Sequence, residues 1–243
     1  MKIANGYINV LLWIVNKDIF FFMAKENLEE FAYRSIIQLI LGNKFQPGDF
    51  LLETELADRL ELSRTPVRHA LGRLVAEGFL DRKKKKGCII PQPNSEDAKH
   101  VFFARETIEG QLAASAAMYR TDTDIKELRK NLQKQEEMAD TYSPETYSAI
   151  NEEFHLGIAR MSRNIYLEKY CRHIFWRSNT YIFFFDNYYM KPSSMDDQNT
   201  PNQHRQIVDA IASHDPEKAG KAMRKHIRFT YEKLFMPWKI KDP

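Results

Sequence analysis

The apolar residues between positions 54 and 77 repeat with the period of two short helices. A first helix is predicted over residues 54–60 and a second over residues 64–77, with residues 61–63 as the turn between them. Ser63 stands where its hydroxyl can accept a bond from a free N–H of the second helix. The apolar positions on which this prediction depends are Leu56, Ala57, Leu60, Val67, Ala70, Leu71, Leu74 and Val75.

A basic hairpin is predicted directly after the second helix. Gly78 ends the helix, and residues 79–82 and 88–91 form the two sides of the hairpin. Its tip consists of Lys83, Lys84, Lys85, Lys86 and Gly87. Two short helices, a tight turn and a basic hairpin within about forty residues are typical of a winged helix-turn-helix, a DNA-binding motif.

The rest of the chain is predicted to be mainly helical. An amphipathic helix over residues 26–42 precedes the motif. After it, Ser95 is expected to cap the first of about six helices, and Asp215 followed by Pro216 gives the clearest start signal, that of the last one. Helices in this order suit an antiparallel bundle. The predicted spans are 96–119, 124–141, 144–161, 165–186, 201–213 and 216–235.

Four segments follow from these patterns. Residues 24–91 form the winged helix-turn-helix, residues 92–95 a proline-containing linker, and residues 96–236 the helical domain. Residues 1–23 are an apolar extension, which polar residues interrupt well short of the ~20 needed to span a membrane. Two interpretations of this extension stay open: a sequence upstream of a true start at Met23, or an apolar helix that packs on the domain or on a partner.

Charge and cysteine content agree with a DNA-binding protein of the cytoplasm. The 243 residues carry a net charge of only +3, but residues 63–87 hold eight lysines and arginines against two acids. Such a local excess is the pattern expected of a phosphate-binding surface. Two cysteines without a CxxC pair, Cys88 and Cys171, give neither a disulfide framework nor a zinc finger, so reduced thiols and a cytoplasmic location are expected.

The first turns of the second helix carry the residues expected to reach base edges in the major groove, and the hairpin carries those expected to contact phosphates. For each residue alone a plainer interpretation exists, since a serine before a helix is usually only a cap and a lysine run is usually a solvated loop. Their joint arrangement favours DNA. The predicted DNA-binding residues are Ser63, Arg64, Thr65, Arg68, Lys83, Lys84, Lys85, Lys86 and Gly87.

These residues resemble a known family. The run Ser63-Arg64-Thr65-Pro66-Val67-Arg68, followed by Ala70-Leu71, Leu74 and Glu77-Gly78, is similar to the N-terminal domain of GntR-family bacterial transcription regulators. The helical part resembles the FCD ligand-binding domain of the FadR-type branch, and its helix count resembles the VanR-like subgroup. The resemblance implies a dimeric, ligand-responsive regulator. Two positions depart from the family pattern, His69 in place of Glu and Asn151 in place of Asp.

The resemblance also implies a metal site. Asn151 and His155 are four residues apart and therefore share a helix face, and His204 and His226 lie on two later predicted helices. The convergence of these four residues on one Zn²⁺, Ni²⁺ or Mn²⁺ ion is implied by the family and not by their spacing. The alternative is that each buried histidine is hydrogen-bonded to a carbonyl or carboxylate with no metal.

Two further features of the helical domain leave alternatives open. Arg105 is expected to attract an acidic effector, or to form a salt bridge with Glu109 at i+4 on its helix, and both can hold. The aromatic run over residues 181–189 either lines an apolar pocket or packs in the core or a dimer interface.

The function expected from all of this is a homodimeric regulator that binds a double-stranded DNA operator and a small-molecule effector, a carboxylate, without a membrane partner. A metalloregulator, in which the metal itself is the signal, is the alternative. A metal-dependent enzyme is disfavoured because the chain has no HExxH and no nucleophile motif, and Glu152 and Glu153 are the only obvious acids beside the histidines.

Overall fold

A computed structural model describes residues 28–84, 86–138, 143–184 and 199–235. In its N-terminal part a first helix (α1) covers residues 28–41. The winged helix-turn-helix follows, as predicted, with three short strands in the antiparallel order β1-β3-β2. Phe50 pairs with Ile89, and Asp81 pairs with the same residue from the other side. The elements are β1 (Phe50–Leu51), α2 (Glu53–Leu60), α3 (Arg64–Ala76), β2 (Asp81–Lys83) and β3 (Gly87–Ile89).

The predicted bundle of six helices is confirmed for the described part of the chain. α4 is its central helix and packs against α6, α7, α8 and α9. α4 and α9 approach closely where two glycines meet, because a Cβ on Gly220 would lie 2.9 Å from the carbonyl oxygen of Gly110. The bundle consists of α4 (Ser95–Tyr119), α5 (Asp122–Glu137), α6 (Pro144–Met161), α7 (Ile165–Phe184), α8 (Asn199–Ala212) and α9 (Pro216–Phe235).

Two predicted caps are wrong, and one is confirmed. Ser63 occupies the N-cap position of α3, but its side chain makes no cap hydrogen bond to the described residues of that helix. Ser95 is not the cap of α4; the side-chain oxygen of Asn94 accepts from the N–H groups of Glu96 and Asp97, and Ser95 is already the first helical residue. Before α9, Asp215 accepts from the N–H of Lys218 at 2.9 Å, as expected.

The DNA-binding motif and the bundle share a hydrophobic core. One cluster of buried residues runs from α1, α2 and α3 into Leu112 of α4, Leu156 of α6 and Phe175 of α7. Trp176 of α7 packs edge-on against Phe79, with ring centroids 5.1 Å apart. A second cluster fills the space between α4, α5, α6, α7, α8 and α9. α4, α6 and α7 therefore contribute to both cores.

Ion pairs cross the same boundary. Arg34 of α1 donates to Glu152 of α6 at 2.7 Å. Arg177 of α7 donates to Asp81 of β2 and to Asp97 of α4, both at 3.1 Å. These contacts fix the motif against the bundle at two separate helices. Within the described ranges, no helix is long and apolar enough to cross a membrane.

Candidate metal centre and nucleic-acid interface

Three histidines from three helices meet inside the bundle. His155 lies on α6, His204 on α8 and His226 on α9, and all three are buried. One ring nitrogen of each lies within 4.8 Å of those of the other two. The Nε2 atoms of His204 and His226 are 3.2 Å apart. The structure therefore brings together the three predicted histidine ligands.

The Nδ1 atom of each imidazole ring lies within hydrogen-bond distance of a different side-chain oxygen atom. Nδ1 of His155 is 2.5 Å from a carboxylate oxygen of Glu109, and Nδ1 of His204 is 2.8 Å from Oε1 of Gln135. Nδ1 of His226 is 2.8 Å from Oε1 of Gln203. An oxygen acceptor at Nδ1 favours the tautomer that carries its hydrogen there, which leaves an unprotonated Nε2 for a ligand.

Sequence reasoning missed the two glutamines of this arrangement. The orientation of Gln135 is fixed because its side-chain nitrogen donates to Asn131 at 2.8 Å, so that its oxygen faces the imidazole. Gln203 directly precedes His204, a candidate ligand, in the chain, and this is a weak signal. Gln135 lies on α5, a helix that contributes no histidine, and nothing in its sequence context points to the site.

The residues present fit a divalent metal ion. Burial holds the pKa of His204 and the pKa of His226 well below the usual value, and the neighbouring histidines and Arg105 are smaller causes. Both rings are therefore neutral at pH 7. Two neutral Nε2 lone pairs at 3.2 Å repel each other unless a cation or a proton lies between them. Zn–N bonds of 2.0–2.1 Å place neighbouring ligand nitrogens about 2.9–3.4 Å apart, which matches the observed separation.

The predicted salt bridge between Arg105 and Glu109 is present and fully buried. Burial alone would raise the pKa of the Glu109 carboxyl, but Arg105 and His155 outweigh it and lower the pKa to about 2. Arg105 also donates from Nη1 to the hydroxyl of Ser178 at 2.9 Å. Its Nη2, like Nε2 of His155, is buried without a hydrogen-bond partner among the described residues. The site thus retains one unused cationic donor beside the three imidazoles.

The other predicted positions differ in their exposure. Asn151 is buried on α6, one turn before His155. His69 is exposed on α3, 3.5 Å from Glu29. Tyr181 and Ile182 pack in the second core, while residues 185–189 of the aromatic run lie outside the described residues.

The candidate DNA-binding residues that the structure describes are all exposed. Ser63, Arg64, Thr65 and Arg68 are exposed in the first turns of α3. Both arginines contact the carboxylate of Glu53 at the start of α2, Arg68 at 3.0 Å and Arg64 at 3.5 Å. At the hairpin, Lys83, Lys84, Lys86 and Gly87 are exposed, and Lys85 lies outside the described residues.

Comparisons with known proteins agree with this geometry. Residues 28–90 match the model of the bacterial regulatory proteins of the gntR family, and residues 100–229 match the FCD domain. The chain belongs to the GntR family of regulators that carry an FCD domain. It is a DNA-binding regulator of transcription and not an enzyme, as predicted.

Curated relatives are regulators as well. The Uxu operon transcriptional regulator of Escherichia coli is 27% identical over 82% of this chain and 83% of its own length. The Uxu operon regulator of Haemophilus influenzae is 28% identical over 90% and 87%. The Nta operon transcriptional regulator of Aminobacter aminovorans is 35% identical over 54% of this chain, a match that spans 61% of that protein.

A solved structure shares the fold. E. coli McbR/YncC superposes with a TM-score of 0.73 at 21% identity, over 88% of this chain and 98% of that one.

Proposed function

We propose that the chain is a homodimeric regulator whose affinity for its operator is controlled by a small-molecule effector bound in the bundle beside a divalent metal ion. His155, His204 and His226 would hold the ion through Nε2, with the side-chain oxygen of Asn151 as a weaker fourth ligand. Zn²⁺, Ni²⁺ and Mn²⁺ all accept imidazole. The observation that carries the proposal is that three buried rings face one another while an oxygen fixes each outer nitrogen.

A carboxylate fits the remaining donors of this site. A bound dication supplies a positive centre for one carboxylate oxygen, and the unused Nη2 of Arg105 can donate to another. A buried guanidinium N–H without an acceptor is unfavourable, and an anion at that position would satisfy it. This donor favours an organic acid as the signal over the metal acting alone.

On the DNA side, Ser63, Arg64, Thr65 and Arg68 would contact base edges, and the hairpin would contact phosphates through Lys83, Lys84, Lys85, Lys86 and Gly87. The exposure of the described members and the local excess of positive charge support these roles. We assign DNA binding to residues 24–91, the connection to residues 92–95, and effector binding and dimerisation to residues 96–236.

The dimer contact is proposed on α4 and α7. The exposed positions of α4 between residues 103 and 118 are Phe103, Thr107, Gln111 and Met118, none of which is charged. Tyr166 and Tyr170 are exposed near the start of α7, which packs against α4. These six side chains are uncharged and three of them are aromatic, which is the composition expected of an interface core. The exposed Lys169 lies beside Tyr170.

Metal removal tests the centre. Chelation should lower the melting temperature, by about 5–10 °C for an ion present at a hundred times its Kd, because the ion binds only the folded chain. His204→Ala should abolish this chelator effect and leave binding to random DNA intact. Asn151→Asp should tighten metal binding by adding a charged ligand.

His100→Ala is the matched control, because His100 is exposed on α4 and its removal should leave the chelator effect unchanged. Protein purified without chelator or nickel resin that holds well under one ion per chain, and that added Zn²⁺, Ni²⁺ or Mn²⁺ cannot load, would contradict the metal proposal. If the metal alone changed operator affinity and organic acids had no further effect, the chain would be a metalloregulator.

A further inference from the structure

One acidic side chain contacts both arginines in the first turns of α3. Oε2 of Glu53, the first residue of α2, is 3.0 Å from Nε of Arg68 and 3.5 Å from Nη2 of Arg64. The two arginines are four residues apart on α3 and therefore point to the same side of that helix. A single carboxylate thus joins the start of α2 to both arginines of α3.

A carboxylate at this position opposes the attraction of the surrounding face to phosphate, so it weakens binding to any duplex. It also restricts two long side chains that would otherwise sample many rotamers. The contact to Arg68 uses Nε, which leaves both terminal nitrogens of that guanidinium unoccupied by this carboxylate. Those two nitrogens are the pair that can bind O6 and N7 of guanine end-on.

We propose that Glu53 is a positioning residue for sequence readout: it orients Arg68 and Arg64 before DNA arrives, and it exchanges general affinity for discrimination between sequences. The inference rests on the proposed role of the two arginines in base recognition. Preorganised side chains lose less conformational entropy on binding, and only the correctly spaced base pair benefits from their fixed geometry.

The test compares Glu53→Gln with Glu55→Gln. Both changes remove one negative charge from α2 and preserve side-chain size, but Glu55 contacts Arg59 of its own helix, at 3.9 Å, and not α3. The probes are a duplex selected from a random-sequence library by the wild-type protein and a scrambled duplex of the same composition. The ratio of affinity for the selected duplex to affinity for the scrambled duplex should fall about tenfold in E53Q, which is within the range of one lost arginine–guanine contact. The same ratio should stay unchanged in E55Q. Affinity for the scrambled duplex should rise slightly in both variants.

A double-mutant comparison separates positioning from direct base contact. If Glu53 acts through Arg68, E53Q should lower the ratio by a smaller factor in an R68A background than in the wild type. An unchanged ratio in E53Q, or an equal fall in both backgrounds, overturns the positioning role. An unchanged ratio in R68A itself would overturn the readout role of the arginine and the inference with it. Equal melting temperatures of wild type and E53Q exclude a merely structural effect.

Discussion

At the scale of single residues, Gly72 within α3 and Gly78 just after it differ in whether another residue type could replace them. Gly78 follows α3 with φ +78°, and a Cβ there would lie 2.9 Å from the carbonyl oxygen of His173 on α7. Gly72 lies within α3, and a Cβ there would meet no described atom within 4 Å. Gly78 is therefore required by both backbone conformation and contact, whereas Gly72 is required by neither.

We expect Gly78→Ala to destabilise the fold and Gly72→Ala to stabilise it. The first change forces a side chain into the left-handed region, roughly 1–2 kcal/mol for a residue other than glycine, and against a backbone oxygen. The second removes the entropy that glycine loses in a helix, roughly 0.5–1 kcal/mol. Urea unfolding of the two variants measures both effects, and shifts of the same sign would contradict this interpretation.

Residue patterns in the sequence predicted the three clustered histidines better than the groups that orient their rings. His155, His204 and His226 could be proposed because they match a family pattern, but Gln135 could not, because its role comes from a contact across 69 residues. A residue type states what a side chain can do, and the local backbone and competing contacts decide whether it does so.

At the scale of elements, α6 and α7 contribute to both cores, and each of them contacts both the bundle interior and the winged helix-turn-helix. α6 presents His155 to the cluster of three histidines and Glu152 to Arg34 of α1. α7 presents Ser178 to Arg105 on one side and Trp176 to Phe79 of the motif on the other. A small rotation of either helix would therefore change contacts in the bundle and in the DNA-binding motif together.

This arrangement predicts that Glu152 couples metal loading of the bundle to the affinity of the motif for its operator. Glu152→Gln should narrow the difference in operator affinity between metal-loaded and chelator-treated protein, because it weakens the ion pair that joins α6 to α1. Such coupling is typically about 5–150-fold in affinity. Titration of the labelled operator with both forms of the protein measures it.

Glu153→Gln is the control on the same helix, since Glu153 pairs with Lys134 of α5 and not with the motif. The two variants should differ. If both variants narrow the difference in operator affinity equally, or if Glu152→Gln does not narrow it, the Arg34–Glu152 ion pair does not connect the bundle to the motif.

Helix limits were predictable where local signals are strong. α6 and α9 have the predicted bounds, 144–161 and 216–235, because Ser143 with Pro144 and Asp215 with Pro216 mark their starts. α5 ends four residues before its predicted limit of 141. The convergence of α6, α8 and α9 on one point was not predictable from spacing, because it depends on how the helices pack.

At the scale of the whole molecule, we expect the proposed α4–α7 surface to determine the oligomeric state. Phe103→Glu and Tyr170→Glu should each shift the protein from dimer to monomer, since a carboxylate buried at an interface core without a partner is strongly unfavourable. Thr123→Glu, in the exposed first turn of α5, is the control and should leave the dimer intact. Light scattering at micromolar concentration distinguishes these states, and a wild-type monomer would refute the proposal outright.

The shared hydrophobic core limits how freely this regulator can exchange parts with others. A chimaera cut at residues 92–95 would keep the linker short and simple, yet it would expose Phe79 on one fragment and Trp176 on the other. A replacement DNA-binding unit would need an aromatic residue and an acid matching Trp176 and Arg177 of α7. Recombination between relatives should therefore succeed where these boundary residues are exchanged along with the unit, and fail where the linker alone sets the junction.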